Sequence, residues 1–127
     1  MQERKGSIVL AADDPAVLAR FYGALLGVAP QPGLSATHWR VPWPPGGFLE
    51  LYAPARRRPQ PRGAGRLALC LHRQAAPGAA GDLLEGWIVE ALALGATALE
   101  PPRQEAFGRE AWLLDPEGNR LLLLLLP

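Results

Sequence analysis

Two tryptophans, Trp39 and Trp112, are the first residues whose type and spacing suggest chemistry. Each opens a stretch that runs through a Pro/Gly-rich turn into an apolar segment closed by Pro54 or Pro127, and the stretches align without a gap 73 residues apart. A module present twice in a short chain predicts a pseudo-symmetric fold with one cavity between its halves. Since an indole offers a flat apolar face to a planar or aromatic ligand, we expect Trp39 and Trp112 to form opposite walls of a small-molecule site. Packing at strand positions is the alternative interpretation of both residues.

The composition is that of one soluble globular domain, with 49% hydrophobic and 20% charged residues in 127. A net charge of +1 argues against binding to nucleic acid. The sole cysteine, Cys70, excludes an internal disulfide and a Cys-based zinc site within one chain. The apolar runs, including the leucines at 121–126, are shorter than the roughly 20 residues that span a bilayer, and no signal peptide pattern is present. We therefore expect a cytoplasmic protein without a membrane partner.

The first half of the chain predicts a strand, a helix and a hairpin. The strand covers Gly6–Ala12, and Asp14-Pro15 supplies an N-cap oxygen and a proline at the first helical position. Apolar residues with the spacing of one helical face then lead to Gly27, a C-cap, and the segment from there to Gly33 is expected to be loop. The hairpin arms are Thr37–Val41 and Phe48–Tyr52, around the turn at 42–47.

A connector rich in Pro and Arg, residues 53–65, leads to a second half of similar order. It is expected to be a solvated linker, with a basic nucleic-acid arm as the alternative. A helix from an N-cap at Asp82 to Leu94 and a hairpin turn at 115–119 are predicted. The leucine run predicts a strand buried on both faces. The predicted strands of this half are Arg66–His72, Ala96–Glu100, Arg109–Leu114 and Leu121–Leu126.

This order of elements resembles the vicinal oxygen chelate superfamily, which contains glyoxalase I, bleomycin-resistance proteins, fosfomycin-resistance thiol transferases and extradiol dioxygenases. The resemblance covers nearly the whole chain. It rests on the Asp-Pro helix start, on Phe21-Tyr22 and Leu26-Gly27 in the helix, on Phe48-Leu-Glu-Leu-Tyr52, and on the turn Asp115-Pro-Glu-Gly-Asn-Arg.

The resemblance implies an α+β fold of two βαβββ modules in tandem, at about residues 6–54 and 66–127 with a linker at 55–65. Their eight strands would form one curved mixed sheet around a cavity, with the helices outside. The resemblance also implies a homodimer whose subunits pack together or swap modules.

Catalytic members of the superfamily hold one divalent metal with four side chains, which fall by resemblance on Ser7, Glu50, Arg66 and Leu122. Serine is a poor ligand, leucine is none, and arginine carries a permanent charge that repels an ion. We therefore expect no metal or other cofactor. We predict instead that Arg66 pairs with Glu50 through a charge-assisted hydrogen bond in the place of the metal.

The histidines and the cysteine do not complete a metal site in the sequence. His72 lies six residues beyond Arg66 on one predicted strand, roughly 20 Å away at about 3.3 Å per residue, and is expected at the cavity rim. His38 is expected on the surface or partly packed, and a His–Glu metal or acid–base pair stays open. Cys70 shares a face with Arg66, and either faces the cavity or is inert core.

Three functions fit these residues. The favoured one is a non-enzymatic protein that binds a small molecule in a metal-free cavity. The second is a metal-dependent lyase, isomerase or thiol transferase whose ion polarises a chelating oxygen pair of the substrate. The third is a metal-free enzyme with Glu50 as general base, its pKa set by burial and Arg66. The residues expected to contact the ligand are Ser7, Trp39, Glu50, Tyr52, Arg66, Trp112 and Leu122.

Overall fold

The computed structural model describes residues 4–44, 46–60 and 65–127. These residues form two helices and nine strands, divided between two units, Met1–Arg62 and Gly63–Pro127. Pro45 of the predicted hairpin turn and positions 61–64 of the predicted linker lie outside the described residues. Within the described ranges, neither helix combines the length and the apolar character that crossing a bilayer requires.

The first unit is a four-stranded mixed sheet with one helix. Strand β1 runs parallel to β4, β3 is antiparallel to both β4 and β2, and the order across the sheet is β1-β4-β3-β2. The two-residue strand β2 lies in the segment expected to be loop. The elements are β1 Ile8–Ala11, α1 Pro15–Leu26, β2 Gln31–Pro32, β3 His38–Pro42 and β4 Phe48–Tyr52.

Both predicted ends of helix α1 are confirmed. The Asp14 side chain accepts a hydrogen bond of 3.2 Å from the amide of Val17, and Pro15 occupies the first turn. Gly27 adopts the left-handed conformation at φ 70°, which permits the turn out of the helix without a Cβ clash.

The strands of the first sheet have one face covered by α1 and one face that carries polar side chains. Val41, Leu49 and Leu51 are fully buried, and α1 contacts the two strands that carry them. Because side chains alternate along a strand, Glu50 and its cross-strand partner Arg40 point to the opposite face. This alternation positions the candidate site.

The second unit is a five-stranded mixed sheet with one helix. Strands β5, β9, β8 and β6 are neighbours in that order, β7 pairs with β8, and the β5–β9 pair is parallel. The elements are β5 Leu69–Gln74, α2 Ala80–Ala93, β6 Thr97–Ala98, β7 Arg103–Glu105, β8 Gly108–Leu114 and β9 Arg120–Leu126.

Three predicted features of the second half need correction. The first is the helix start, because the N-cap of α2 is Ala79, which makes no side-chain capping hydrogen bond. Asp82 lies in the first turn, where its negative charge interacts favourably with the positive end of the helix dipole. The predicted strand from Arg66 begins at Leu69 and leaves Arg66 exposed before it. Strand β7 was not expected, so the described residues form nine strands in two mixed sheets, and the predicted α+β fold class is confirmed.

The leucine-rich strand β9 is buried on one face only. Leu121, Leu123 and Leu125 are fully buried, whereas Leu122, Leu124 and Leu126 are half-buried, which corrects the prediction of burial on both faces. The tight turn before this strand has the predicted chemistry. The carboxylate of Asp115 accepts hydrogen bonds from the amides of Glu117 and Asn119, and Gly118 has φ 86°.

The repeat is offset by one residue from the gapless alignment. Adding 72 to both residue numbers converts the cross-strand pair Arg40–Glu50 of the first sheet into the cross-strand pair Trp112–Leu122 of the second sheet. Adding 73 converts no cross-strand pair of the first hairpin into one of the second. Trp39 pairs with Leu51 on the helix-covered face, whereas Trp112 pairs with Leu122 on the other face of its own sheet. The two tryptophans are therefore not equivalent positions of the repeat.

Candidate functional site

The polar face of the first sheet carries an open cavity of about 460 Å³. Its lining combines a few polar groups with apolar surface from Val9 and the ring of Tyr52. The lining residues are Ser7, Val9, Ser35, His38, Glu50 and Tyr52. Three residues predicted from the sequence to contact a ligand, Ser7, Glu50 and Tyr52, therefore lie in one cavity.

Strand pairing brings these side chains together. Val9 of β1 and Arg40 of β3 are the cross-strand neighbours of Glu50, and His38 is that of Tyr52. Neighbours in register point to the same face of a sheet, and alternate residues of one strand share that face. The strands β1, β3 and β4 thus bring Val9, His38, Arg40, Glu50 and Tyr52 to one face of the sheet.

Glu50 is the centre of a side-chain cluster. Its Oε1 accepts a hydrogen bond from His38 Nε2 and another from Arg40 Nε, each 2.9 Å long. The guanidinium of Arg40 lies over the Phe48 ring, 3.8 Å from the ring centroid. Within the part of the chain that the structure describes, no hydrogen bond to Glu50 uses Oε2, so this oxygen is an acceptor for a ligand.

The backbone fixes the proton position on His38. The amide of Leu34 donates to His38 Nδ1 at 2.8 Å, so Nδ1 carries no proton. The ring proton then resides on Nε2, which donates to Glu50. His38 Nε2 is thus held as a hydrogen-bond donor toward Glu50.

The surroundings of Glu50 favour its ionised form. Burial acts to raise the pKa of this carboxyl, but the hydrogen bonds from Arg40 and His38 and the charge of Arg40 outweigh burial and hold its pKa below the ordinary value. The carboxylate is 16% exposed, so it is accessible from the cavity while remaining shielded enough for these contacts to matter.

The other predicted ligand contacts lie elsewhere. Trp39 is on the helix-covered face of the first sheet, opposite to Glu50. Arg66, Trp112 and Leu122 belong to the second unit, and their contact with a ligand stays a prediction. Within the first unit, Arg40 makes the contact with Glu50 that was expected of Arg66.

Arg40 is the site residue that the sequence interpretation missed, and the pairing of His38 with Glu50 was left open there. The hairpin arms were predicted within one residue, so pairing them in register would have placed Arg40 opposite Glu50 and His38 two residues along the same face. The signal for these residues is the register across the turn, because their chemical types alone do not show which side chains meet.

The donors around Glu50 are engaged in hydrogen bonds with one another. His38 Nε2 and Glu50 are two donors of the right type, but the His38 proton points at Glu50, and the Arg40 guanidinium occupies the same oxygen. Across residues 4–44, 46–60 and 65–127, no three His, Cys, Asp or Glu side chains come close enough to share an ion.

Cys70 and His72 lie on strand β5 of the second unit. Cys70 is half-buried beside Leu122, and burial raises the pKa of its thiol, which disfavours the reactive thiolate. His72 is exposed on the same face.

The described geometry agrees with known sequences and structures. The family model of the glyoxalase-like domain matches residues 7–124. A glyoxalase/bleomycin resistance protein from Albidiferax ferrireducens T118 is 25% identical, with a TM-score of 0.68 over 96% of this chain and 98% of that chain. None of the curated proteins compared with this chain matches it.

Two structures with lower sequence identity share the fold. One is a glyoxalase/bleomycin resistance protein/dioxygenase family enzyme from Burkholderia phytofirmans PsJN, with 16% identity and a TM-score of 0.78 over 95% of this chain and 97% of that chain. The other is protein ATC0852 from Agrobacterium tumefaciens, with 22% identity and a TM-score of 0.74 over 99% of both chains.

Gly33 should be essential for the position of His38. A Cβ added at Gly33 would overlap the His38 ring, whereas a Cβ at Gly46 would meet no atom within 4 Å. We expect Gly33→Ala to lower the free energy of unfolding by about 1–3 kcal/mol and to change the ¹⁵N shifts of the His38 ring. Gly46→Ala is the matched control, and equal effects of the two substitutions would contradict this role of Gly33.

The stabilisation by Glu50 should depend on pH. Because its folded-state pKa lies below the ordinary value of 4.5, its contribution is complete above the unfolded-state pKa and is lost as the pH falls through the folded-state pKa. We expect the difference in unfolding free energy between the natural chain and Glu50→Gln to be largest near neutral pH and to shrink below about pH 5. Urea unfolding across this range measures it, and a difference that grows in acid would refute the assignment.

Proposed function

The chain belongs to the glyoxalase-like domain family, within the vicinal oxygen chelate superfamily. On this premise, we propose that it binds a small planar or aromatic molecule in a metal-free cavity beside Glu50. The observation that carries the proposal is the cavity of about 460 Å³ in which Ser7, His38, Glu50 and Tyr52 meet.

The cavity suits a small organic ligand in size and lining. Ligand sites in proteins are typically about 300–1,000 Å³ and combine apolar walls with a few fixed polar groups. Val9 and the Tyr52 ring supply apolar surface, and Glu50 Oε2 supplies a fixed acceptor. A ring that bears one hydroxyl or amino donor would match this lining.

The arrangement of charge supports binding without metal. The guanidinium of Arg40 is bonded to the one carboxylate of the cavity, so an ion approaching Oε1 would meet a positive charge at short range. Ser7, at the position where the superfamily places a ligand, offers only a neutral hydroxyl. These donors and charges favour an organic ligand over a cation.

The state of Glu50 supports binding over general-base catalysis. An efficient general base has a pKa near the working pH, whereas the pKa of Glu50 lies below the ordinary value for a carboxyl. His38 cannot replace it as a base, because both ring nitrogens already take part in hydrogen bonds. We therefore propose that Glu50 orients the ligand and does not abstract a proton.

A metal-dependent lyase, isomerase or thiol transferase is the second candidate. The observation in its favour is that His38 Nε2 and Glu50 Oε1, two atoms of metal-ligating type, lie 2.9 Å apart. In that case His38 and Glu50 would hold the ion, and the ion would polarise a substrate oxygen. A metal-free enzyme with Glu50 as base is the further alternative. We also propose a homodimer, on the family resemblance alone, and a cytoplasmic location, as expected from the sequence.

Ligand binding should depend on the acceptor at Glu50. Titration with planar hydroxy- and amino-aromatic compounds, followed by ¹H–¹⁵N NMR, should shift resonances of Glu50, Tyr52 and His38. We expect Glu50→Gln to weaken binding about tenfold, since a hydrogen bond to a charged group contributes about 1.5–3 kcal/mol. Glu90→Gln, an exposed change on α2, should leave affinity unaltered. The absence of shifts at these residues with every compound would reject the site.

Metal content separates the first two candidates. Protein purified without chelator should contain far less than one equivalent of Ni, Zn, Fe or Mn by elemental analysis, because Arg40 opposes a cation at Glu50. A stoichiometric ion that disappears in His38→Ala would overturn the metal-free proposal and favour the metalloenzyme.

A further inference from the structure

The second unit contains a groove of about 610 Å³ on the side of its sheet that faces α2. Ile88 and Val89 of the helix form one wall, Leu99 and Pro101 form the other, and Ala111 and Leu113 of β8 lie at its base. The groove belongs to the second unit alone and is separate from the cavity beside Glu50.

The lining of the groove is aliphatic and partly open to solvent. Ala111 and Leu113 are 2% and 1% exposed, whereas Val89 and Leu99 on the walls are 66% and 44% exposed. A helix normally packs against a sheet at the density of an organic crystal, so an opening of this volume leaves apolar surface without a partner. The volume lies within the range of about 300–1,000 Å³ found for small-molecule sites.

The charge around the groove is negative. Glu85 and Glu100 line it, and no basic side chain does so within the described residues. The adjacent Arg103 lies 2.6 Å from Glu110, 3.5 Å from Glu105 and 3.7 Å from Glu100, so a single guanidinium serves three carboxylates. Net negative charge at the mouth of an apolar groove attracts an organic cation and repels fatty acids and other anions.

We propose that this groove is a second small-molecule site, which binds an organic cation with a compact apolar body. The apolar body contacts Ile88, Val89 and Leu99, and the ammonium group lies toward Glu85 and Glu100. A second copy of the chain is the poorer occupant, because a two-fold contact through this groove would set the acids of one copy near the same acids of the other.

Three probes of one shape and different charge test the proposal: 1-adamantanamine, 1-adamantanol and 1-adamantanecarboxylate. Calorimetric titration at low ionic strength should give the order amine, alcohol, carboxylate, with the amine about three- to tenfold tighter than the alcohol, as expected for partly exposed charge pairs. The double variant Glu85→Gln with Glu100→Gln should remove the preference for the amine. Glu90→Gln, on the same helix but outside the groove lining, is the matched control and should retain it.

The outcomes separate this site from the cavity beside Glu50. Equal affinity for all three probes, or no saturable binding, would overturn the proposal. Loss of amine binding in Glu50→Gln and not in the double variant would assign the amine to the first cavity instead. Sedimentation analysis of the same variants covers the remaining occupant: a change of oligomeric state in the double variant, without amine binding to the natural chain, would make the groove an interface.

Discussion

The candidate site depends on one carboxylate oxygen that is shared by two side chains of a neighbouring strand. Oε1 of Glu50 accepts hydrogen bonds from both His38 and Arg40, and the backbone of Leu34 holds the far side of the His38 ring. Each partner constrains the others. The Leu34 amide selects the His38 tautomer, this tautomer directs its N–H group at Glu50 as a hydrogen-bond donor, and Arg40 keeps the carboxylate ionised. The site is therefore preorganised as an acceptor of fixed charge.

This preorganisation limits the chemistry that the cavity offers. A carboxylate with a lowered pKa is a weak base, and the Arg40 guanidinium opposes a cation at the same oxygen. It remains a good partner for a single hydrogen-bond donor at Oε2. Members of one superfamily can thus share a fold while the side chains at corresponding positions decide whether an ion, a proton transfer or simple binding is favoured.

The two hairpins of the chain show how the same framework carries different chemistry. At the repeat offset of 72, Arg40, Glu50 and Tyr52 correspond to Trp112, Leu122 and Leu124 of the second unit. The polar cluster of the first sheet thus has an apolar counterpart. The counterpart of His38 is Glu110, which is buried and bonded to Arg103 of the added strand β7. The two units share the same hairpin framework, and the polar site lies in the first of them.

The amino-acid sequence alone determined those features that depend on neighbours along the chain. The cap at Asp14, the left-handed Gly27 and the turn that begins at Asp115 were predicted because each is a local arrangement of backbone and one short side chain. The family and the α+β class were implied by the resemblance that these signals help to carry, and the family is confirmed. The helix start at Ala79 was not predicted, because no side chain at this N-cap makes a capping hydrogen bond.

Only the tertiary structure decided which side chains meet. Side chains in a strand alternate with a period of two, so an error of one residue in register moves a residue to the opposite face. The gapless repeat alignment differs from the register in the sheets by one residue, so Trp39 and Trp112 are not equivalent positions. The register of the first hairpin also places His38 and Arg40 near Glu50. Cross-strand pairing is set by packing of buried leucines against the helix, and this packing is a property of the folded sheet.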